Sequence, residues 1–113
     1  MLFGLFRSAP DRMFGRPRSS KWRGIRAFHL KYNQACVVCG EARYVEVHHI
    51  LPVHVAPESE LDPDNLVTLC DDRAASHHFQ IGHGGNWMYW NMIVRDDAKY
   101  LAEMYQRVRG HVT

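Results

Sequence analysis

With 113 residues the chain is long enough for one modest domain, and a domain this small has a limited core that often needs a staple. Its three cysteines cannot pair evenly, and Cys36-x-x-Cys39 closes too small a ring to brace a fold, so metal binding outranks a disulfide framework and a reducing cytoplasm is expected. The apolar opening Met1 to Phe6 is too short for a signal peptide and no run approaches a membrane span, which sets aside secreted and membrane classes.

The net charge of +2 hides an asymmetry. Residues 1 to 33 hold eight Lys or Arg against Asp11 alone, while the remainder holds six against eleven acids, or +7 against −5. A basic arm on an otherwise acidic domain is the electrostatic footprint of a polyanion partner.

Residues 1–18 mix Gly4, Pro10, Gly15 and Pro17 with Arg7, Arg12, Arg16 and Arg18 without a sustained period, and read as a flexible arm ahead of a domain at 19–113. Ser19 or Ser20 can cap a helix to about Tyr32, with Trp22, Ile25, Phe28 or His29, and Tyr32 on one side. A metal knuckle at Cys36 and a turn at Gly40-Glu41 follow, then a strand over Arg43 to His49. Pro52, Pro57 and Pro63 enforce an irregular loop, and Leu66 to Leu69 makes a second strand. A helix is expected from about Asp72 to Ile81, before Gly82, Gly84 and Gly85. A last helix over Asp96 to Arg109 should turn Ala98, Leu101, Ala102, Tyr105 and Val108 inward.

Five of the eight histidines fall at informative places: His48-His49 ends the first strand, and His77, His78 and His83 lie on or just after the helix that follows the second. In this respect the chain resembles the HNH nuclease family, through Cys36-Val-Val-Cys39, Glu46-Val-His48-His49-Ile-Leu-Pro52, Asp64-Asn65-Leu66-Val-Thr-Leu-Cys70, and His77-His78 with His83, over residues 20–109. The resemblance implies an α+β fold: a small ββα-metal (His-Me finger), treble-clef-like core with a structural zinc knuckle, between an N-terminal and a C-terminal helix.

Structural zinc takes four Cys or His ligands. Family members with this site usually present a second Cys-x-x-Cys with a histidine directly after its last cysteine. Here six residues separate Cys70 from His77, and position 77 is His, so Cys36, Cys39, Cys70 and His77 are expected as a Cys3His set, with Asp71, Asp72 or water as the alternatives to His77. The catalytic metal is expected on His48, His78 and His83. It would be a divalent ion, with three imidazoles favouring Zn, Ni, Mn or Co mildly over Mg. In the colicin-type DNases of the family the first histidine of the pair binds metal and the second is the general base. Carried over, His48 is the ligand, His49 the base, and Asn65 the brace that orients the base. Adjacent strand residues point to opposite faces, so both histidines reach one site only if the strand twists or ends between them.

The implied activity is metal-dependent hydrolysis of DNA phosphodiester bonds, leaving 5′-phosphate and 3′-hydroxyl ends, in a small phage, prophage or restriction-type enzyme that a phage or host protein could accompany. Two other readings share these residues: a treble-clef zinc module that binds nucleic acid or protein without cutting, and an RNA-cleaving toxin. His29, His54 and His111 are assigned no function. Trp87, Tyr89 and Trp90 are read as core ahead of base-stacking, and Arg43 and Arg73 as solvated charges or phosphate contacts.

Overall fold

In a computed structural model of the protein, residues 18–71 and 76–112 are described. The expected arm up to Pro17, with Arg7, Arg12 and Arg16, lies outside the described residues, as do Asp72, Arg73 and the side chain of His111.

Helix α1 spans Trp22–Tyr32. Its entry is set by Ser19, whose carbonyl accepts the Trp22 N–H at 3.0 Å and whose hydroxyl accepts the Lys21 N–H at 3.1 Å. Lys21 itself is the N-cap and contributes no side-chain cap, so the serine works two residues earlier than a cap would. Asn33 ends the helix by donating both its backbone N–H and its Nδ2 to the His29 carbonyl. The inner face is narrower than expected: Trp22, Ile25 and His29 are half-buried, whereas Phe28 and Tyr32 are 65% and 66% exposed. The short sheet beneath α1 does not reach that far round the helix.

After the knuckle, Tyr44 takes a φ of 47°, which breaks the extended run and delays the first strand to Val45. Strands β1 (Val45–His49) and β2 (Leu66–Cys70) form a two-stranded antiparallel sheet with Val45 opposite Cys70 and His49 opposite Leu66. Two 3-10 turns, Pro57–Ser59 and Pro63–Asn65, occupy the proline-rich connection. Every residue of β2 is buried, which is why it reads as a continuous apolar run. Leu69 and Val94 are fully enclosed, with Cys36, Val38, Val67, Cys70, Ile81 and Ala98 completing the core. Burying each such aliphatic side chain contributes about 1.5–3 kcal/mol.

Of the helix expected over Asp72 to Ile81, residues 72–75 lie outside the described residues, and the rest departs from α-helix. From Ser76 onward the described chain forms one π-helical turn at His78–Gly82, closed by the His83 N–H on the His78 carbonyl at 3.1 Å. The i→i+5 register is what a five-residue histidine spacing needs in order to bring two rings together, since an α-helix aligns residues three or four apart.

Helix α2 (Val94–Val112) begins two residues earlier than expected and outruns the core. Val94 and Ala98 are buried and Leu101 and Ala102 half-buried, but Tyr105 and Val108, expected to face inward, are exposed. Arg95 anchors its start to the head of β2 by donating to the Asp64 and Leu66 carbonyls. The architecture is thus a small α+β one, a two-stranded sheet with flanking helices. Among the described residues no helix is long and apolar enough to cross a membrane.

Candidate functional site

Cys36, Cys39, Cys70 and His77 converge on one point. The knuckle is possible because Gly40 takes a φ of 80°, a left-handed conformation that glycine adopts without strain, and donates its N–H to the Cys36 carbonyl. The Val37 N–H on the Thr68 carbonyl docks this turn on β2, beside Cys70. The Sγ atoms of Cys39 and Cys70 are 3.9 Å apart, and His77 Nδ1 lies 3.6 Å from Cys36 Sγ and 3.2 Å from Cys70 Sγ. A zinc tetrahedron has edges of about 3.8 Å between sulfurs and about 3.6 Å between sulfur and nitrogen. The donor set and spacing therefore fit a closed Cys3His site, with His77 rather than Asp71 as the fourth group. Burial pushes the Cys70 thiol up to about 12, with Cys36 and Cys39 adding to the rise, and burial raises Cys39 as well, with Cys36 adding. A cation among them is what would make the thiolate form stable.

His48, His78 and His83 form a second cluster. Ring centroids lie 5.0 Å apart for His48 and His78 and 4.9 Å apart for each of the other two pairs, all edge-on. His83 Nδ1–H donates to the Tyr89 carbonyl at 2.7 Å, which leaves Nε2 as its lone-pair atom. His48 Nε2 is buried with no hydrogen-bond partner, which suits it to a divalent cation. Burial, reinforced by His78 and His83, pushes His48 down to about 2, and burial with His83 pushes His78 down to about 4, so both are neutral donors at pH 7. Gly82 packs closely here: a Cβ would lie 3.0 Å from Leu69 Cδ1 and 3.2 Å from His48 Cε1 and Nε2, so a side chain would press on the cage. These residues fit a three-imidazole metal site.

His49 is not gathered into the cluster of His48: it faces different surroundings from its neighbour, as the pleat dictates. Its ring stacks on Trp22 with centroids 4.4 Å apart, and Nε2–H donates to the Glu60 carbonyl at 2.9 Å. That bond sets the tautomer and leaves the lone pair on Nδ1, which accepts from Arg18 NH1 at 3.2 Å. Arg18 also lies over the Trp22 ring. Burial lowers the His49 pKa, the Glu60 carbonyl opposes this, and the charge of Arg18 lowers it further.

Asn65 is buried and saturates its side chain: Oδ1 accepts the Leu51 N–H at 2.8 Å, and Nδ2 donates to the carbonyls of Leu51 and Ser59. It thereby ties the chain just after His49 to the turn that presents the Glu60 carbonyl. Asn65→Ala should leave these three backbone groups without their partner, costing about 1–3 kcal/mol and lowering Tm by roughly 5–15 °C. Differential scanning calorimetry at constant zinc content checks this. An unchanged Tm would mean that water replaces the side chain without loss.

The other sequence candidates scatter. Trp87 is half-buried and packs on Phe79, His78 and His83, walling the second cluster, while Tyr89 is 63% exposed. Trp90 meets His54 edge-on, and Arg43 is exposed, paired with Glu41. Sequence reasoning did not single out Glu60, whose contribution to His49 is a backbone carbonyl, or the stacking of Trp22 on that ring. Nor did it find Asn91, which bonds the Ile81 and Gly82 carbonyls and so fixes the far end of the loop that carries His83. Backbone carbonyls carry no residue-type signal.

Residues 36–72 match the family model described as HNH endonuclease. No curated protein and no solved structure matches the chain. The matched stretch runs from the first cysteine of the Cys3His cluster past Cys70 and contains His48, His49 and Asn65, while His77, His78 and His83 follow it. This segment, about a third of the chain, is thus similar to HNH endonucleases.

Proposed function

We propose that the chain is a metal-dependent endonuclease that hydrolyses DNA phosphodiester bonds with His49 as general base, leaving 5′-phosphate and 3′-hydroxyl ends. The carrying observation is a three-imidazole cage next in sequence to an imidazole whose Nε2–H is held by the Glu60 carbonyl and whose lone pair is on Nδ1, facing Arg18. Neutral His49 takes the proton of the attacking water at Nδ1, and the Glu60 carbonyl and Trp22 hold the ring in place as the imidazolium forms. Arg18, within reach of the same nitrogen, pairs with the incoming phosphate. A divalent metal in the cage supplies Lewis-acid stabilisation of the charge that grows on the phosphate and on the departing 3′ oxygen.

The order of knuckle, β1, β2 and histidine-bearing turn supports a ββα-metal core, with its helix reduced to the π turn. Residues 19–113 are the nuclease domain, and residues 1–18 are the basic arm that follows the phosphate backbone. A zinc module that only binds would need Cys36, Cys39, Cys70 and His77 and would leave the three-imidazole cage without a use.

The test is nicking of supercoiled plasmid by zinc-loaded protein across Mn, Ni, Co, Zn and Mg, with single-stranded and structured RNA in parallel. Cleavage of DNA is expected with at least one of the softer ions and to a lesser degree with Mg. Cleavage of RNA alone would replace DNA as the substrate, and no cleavage with any metal would leave the zinc-module reading in its place.

A further inference from the structure

Asp71 stands between the two clusters and belongs to neither. It follows Cys70 of the Cys3His cluster, as His78 of the cage follows His77 of the same cluster. Closing the first cluster therefore brings Asp71 and His78 to the same place. The Asp71 carboxylate is constrained there. Its backbone N–H donates to the Tyr44 carbonyl at 2.6 Å, and its Oδ1 accepts the Ser76 hydroxyl at 3.0 Å. The same hydroxyl accepts the Phe79 N–H at 3.2 Å, so the serine is itself held. The remaining oxygen, Oδ2, lies 3.7 Å from His78 Nδ1, a buried nitrogen that makes no hydrogen bond. The carboxylate does not join the group of three imidazoles, so it approaches His78 from outside the cage.

We propose that Asp71 is the positioning residue of the three-imidazole site: its carboxylate accepts the Nδ1–H of His78, fixing the ring and presenting Nε2 to the metal. At 3.7 Å the carboxylate charge already favours the proton on Nδ1, and the separation closes to a hydrogen bond when the ring is drawn into a coordination shell. Metal-bound histidines commonly donate their second N–H to a carboxylate or carbonyl, and loss of that partner typically costs 10–100-fold in affinity. Within the cage the Tyr89 carbonyl already does this for His83. Asp71 completes the same arrangement for His78, with a charged acceptor.

This inference rests on the metal-site reading above, and two measurements keep them apart. In zinc-loaded protein without a second metal, 15N NMR of the imidazoles reports the His78 tautomer. The parent should hold the Nδ1–H form, whereas Asp71→Ala should shift His78 toward a mixture and leave His83 unchanged. Calorimetric titration of Ni or Mn into the same proteins should give a 10–100-fold weaker second site for Asp71→Ala, with Asp71→Asn between the two because its amide oxygen still accepts but carries no charge. Zinc content and Tm should stay at parental values, which separates positioning from a structural loss. If Asp71→Ala leaves both tautomer and affinity unchanged, Asp71 has no such role and the nuclease reading stands. If the parent takes up no second metal, the metal-site reading falls and takes the positioning role with it, whatever the tautomer shows.

Discussion

Cys70→Ser should leave a chain that neither retains zinc nor unfolds cooperatively. Cys70 ends the buried β2 strand, it is 1% exposed, and its Sγ is the point at which Cys39, His77 Nδ1 and the His77 backbone N–H meet. Structural zinc contributes about 10–16 kcal/mol in small peptides, comparable to or larger than the 5–15 kcal/mol net stability of a whole domain. The core offers little to offset such a loss, because its cluster already counts Cys36 and Cys70 among its buried members. Metal analysis of protein purified without added metal should find about one zinc per chain in the parent and about none in the variant. Urea melts followed by far-UV circular dichroism should be sigmoidal for the first and featureless for the second. A zinc-free variant as stable as the parent would make the cysteines ordinary core residues.

His49→Ala should lower cleavage by about 100-fold or more, the scale of a lost general base, while leaving zinc content and second-metal affinity near parental values. The expected separation comes from the surroundings of the two neighbours: His48 lies among His78 and His83, whereas His49 bonds Glu60 and stacks on Trp22. His48→Ala should therefore weaken the second metal instead. Single-turnover cleavage paired with titration of Mn or Ni reads both effects. Because burial and the Arg18 charge lower the His49 pKa, the base is neutral at pH 7, and cleavage should fall off only at pH values below the ordinary imidazole value of about 6.5. An acid limb above that value would require a different base, and reversed effects of the two variants would exchange their roles.

What the sequence made legible was chemistry carried by residue type. Cys36, Cys39, Cys70 and the histidine pairs announce their groupings because few other residues bind metal, and the structure gathers them into two clusters. Both strands were legible as well, since a β-branched run ending in histidines and a fully apolar run leave little choice of conformation. The π turn was not. A spacing of five between His78 and His83 fits neither α nor β periodicity, and the stretch before it offers ordinary helix formers, so a helix was the expected form. Helix faces were misjudged in two places for one reason. Phe28, Tyr32, Tyr105 and Val108 follow a helical period, but a two-stranded sheet is too small to cover the outer turns of α1 or the far half of α2. Asp71 entered only as an alternative zinc ligand, because its relation to His78 depends on a fold closed by Cys70 and His77.

The adjacency of His77 and His78 has a consequence in time. One side chain completes the cysteine cluster and the next enters the imidazole cage, with no spacer to absorb a misplacement of either. A newly synthesised chain would hold its three cage histidines apart until zinc arrived, and would take up the second ion only afterwards. Maturation would then run in one direction: the imidazole cage is assembled last, and its onset is timed by zinc supply.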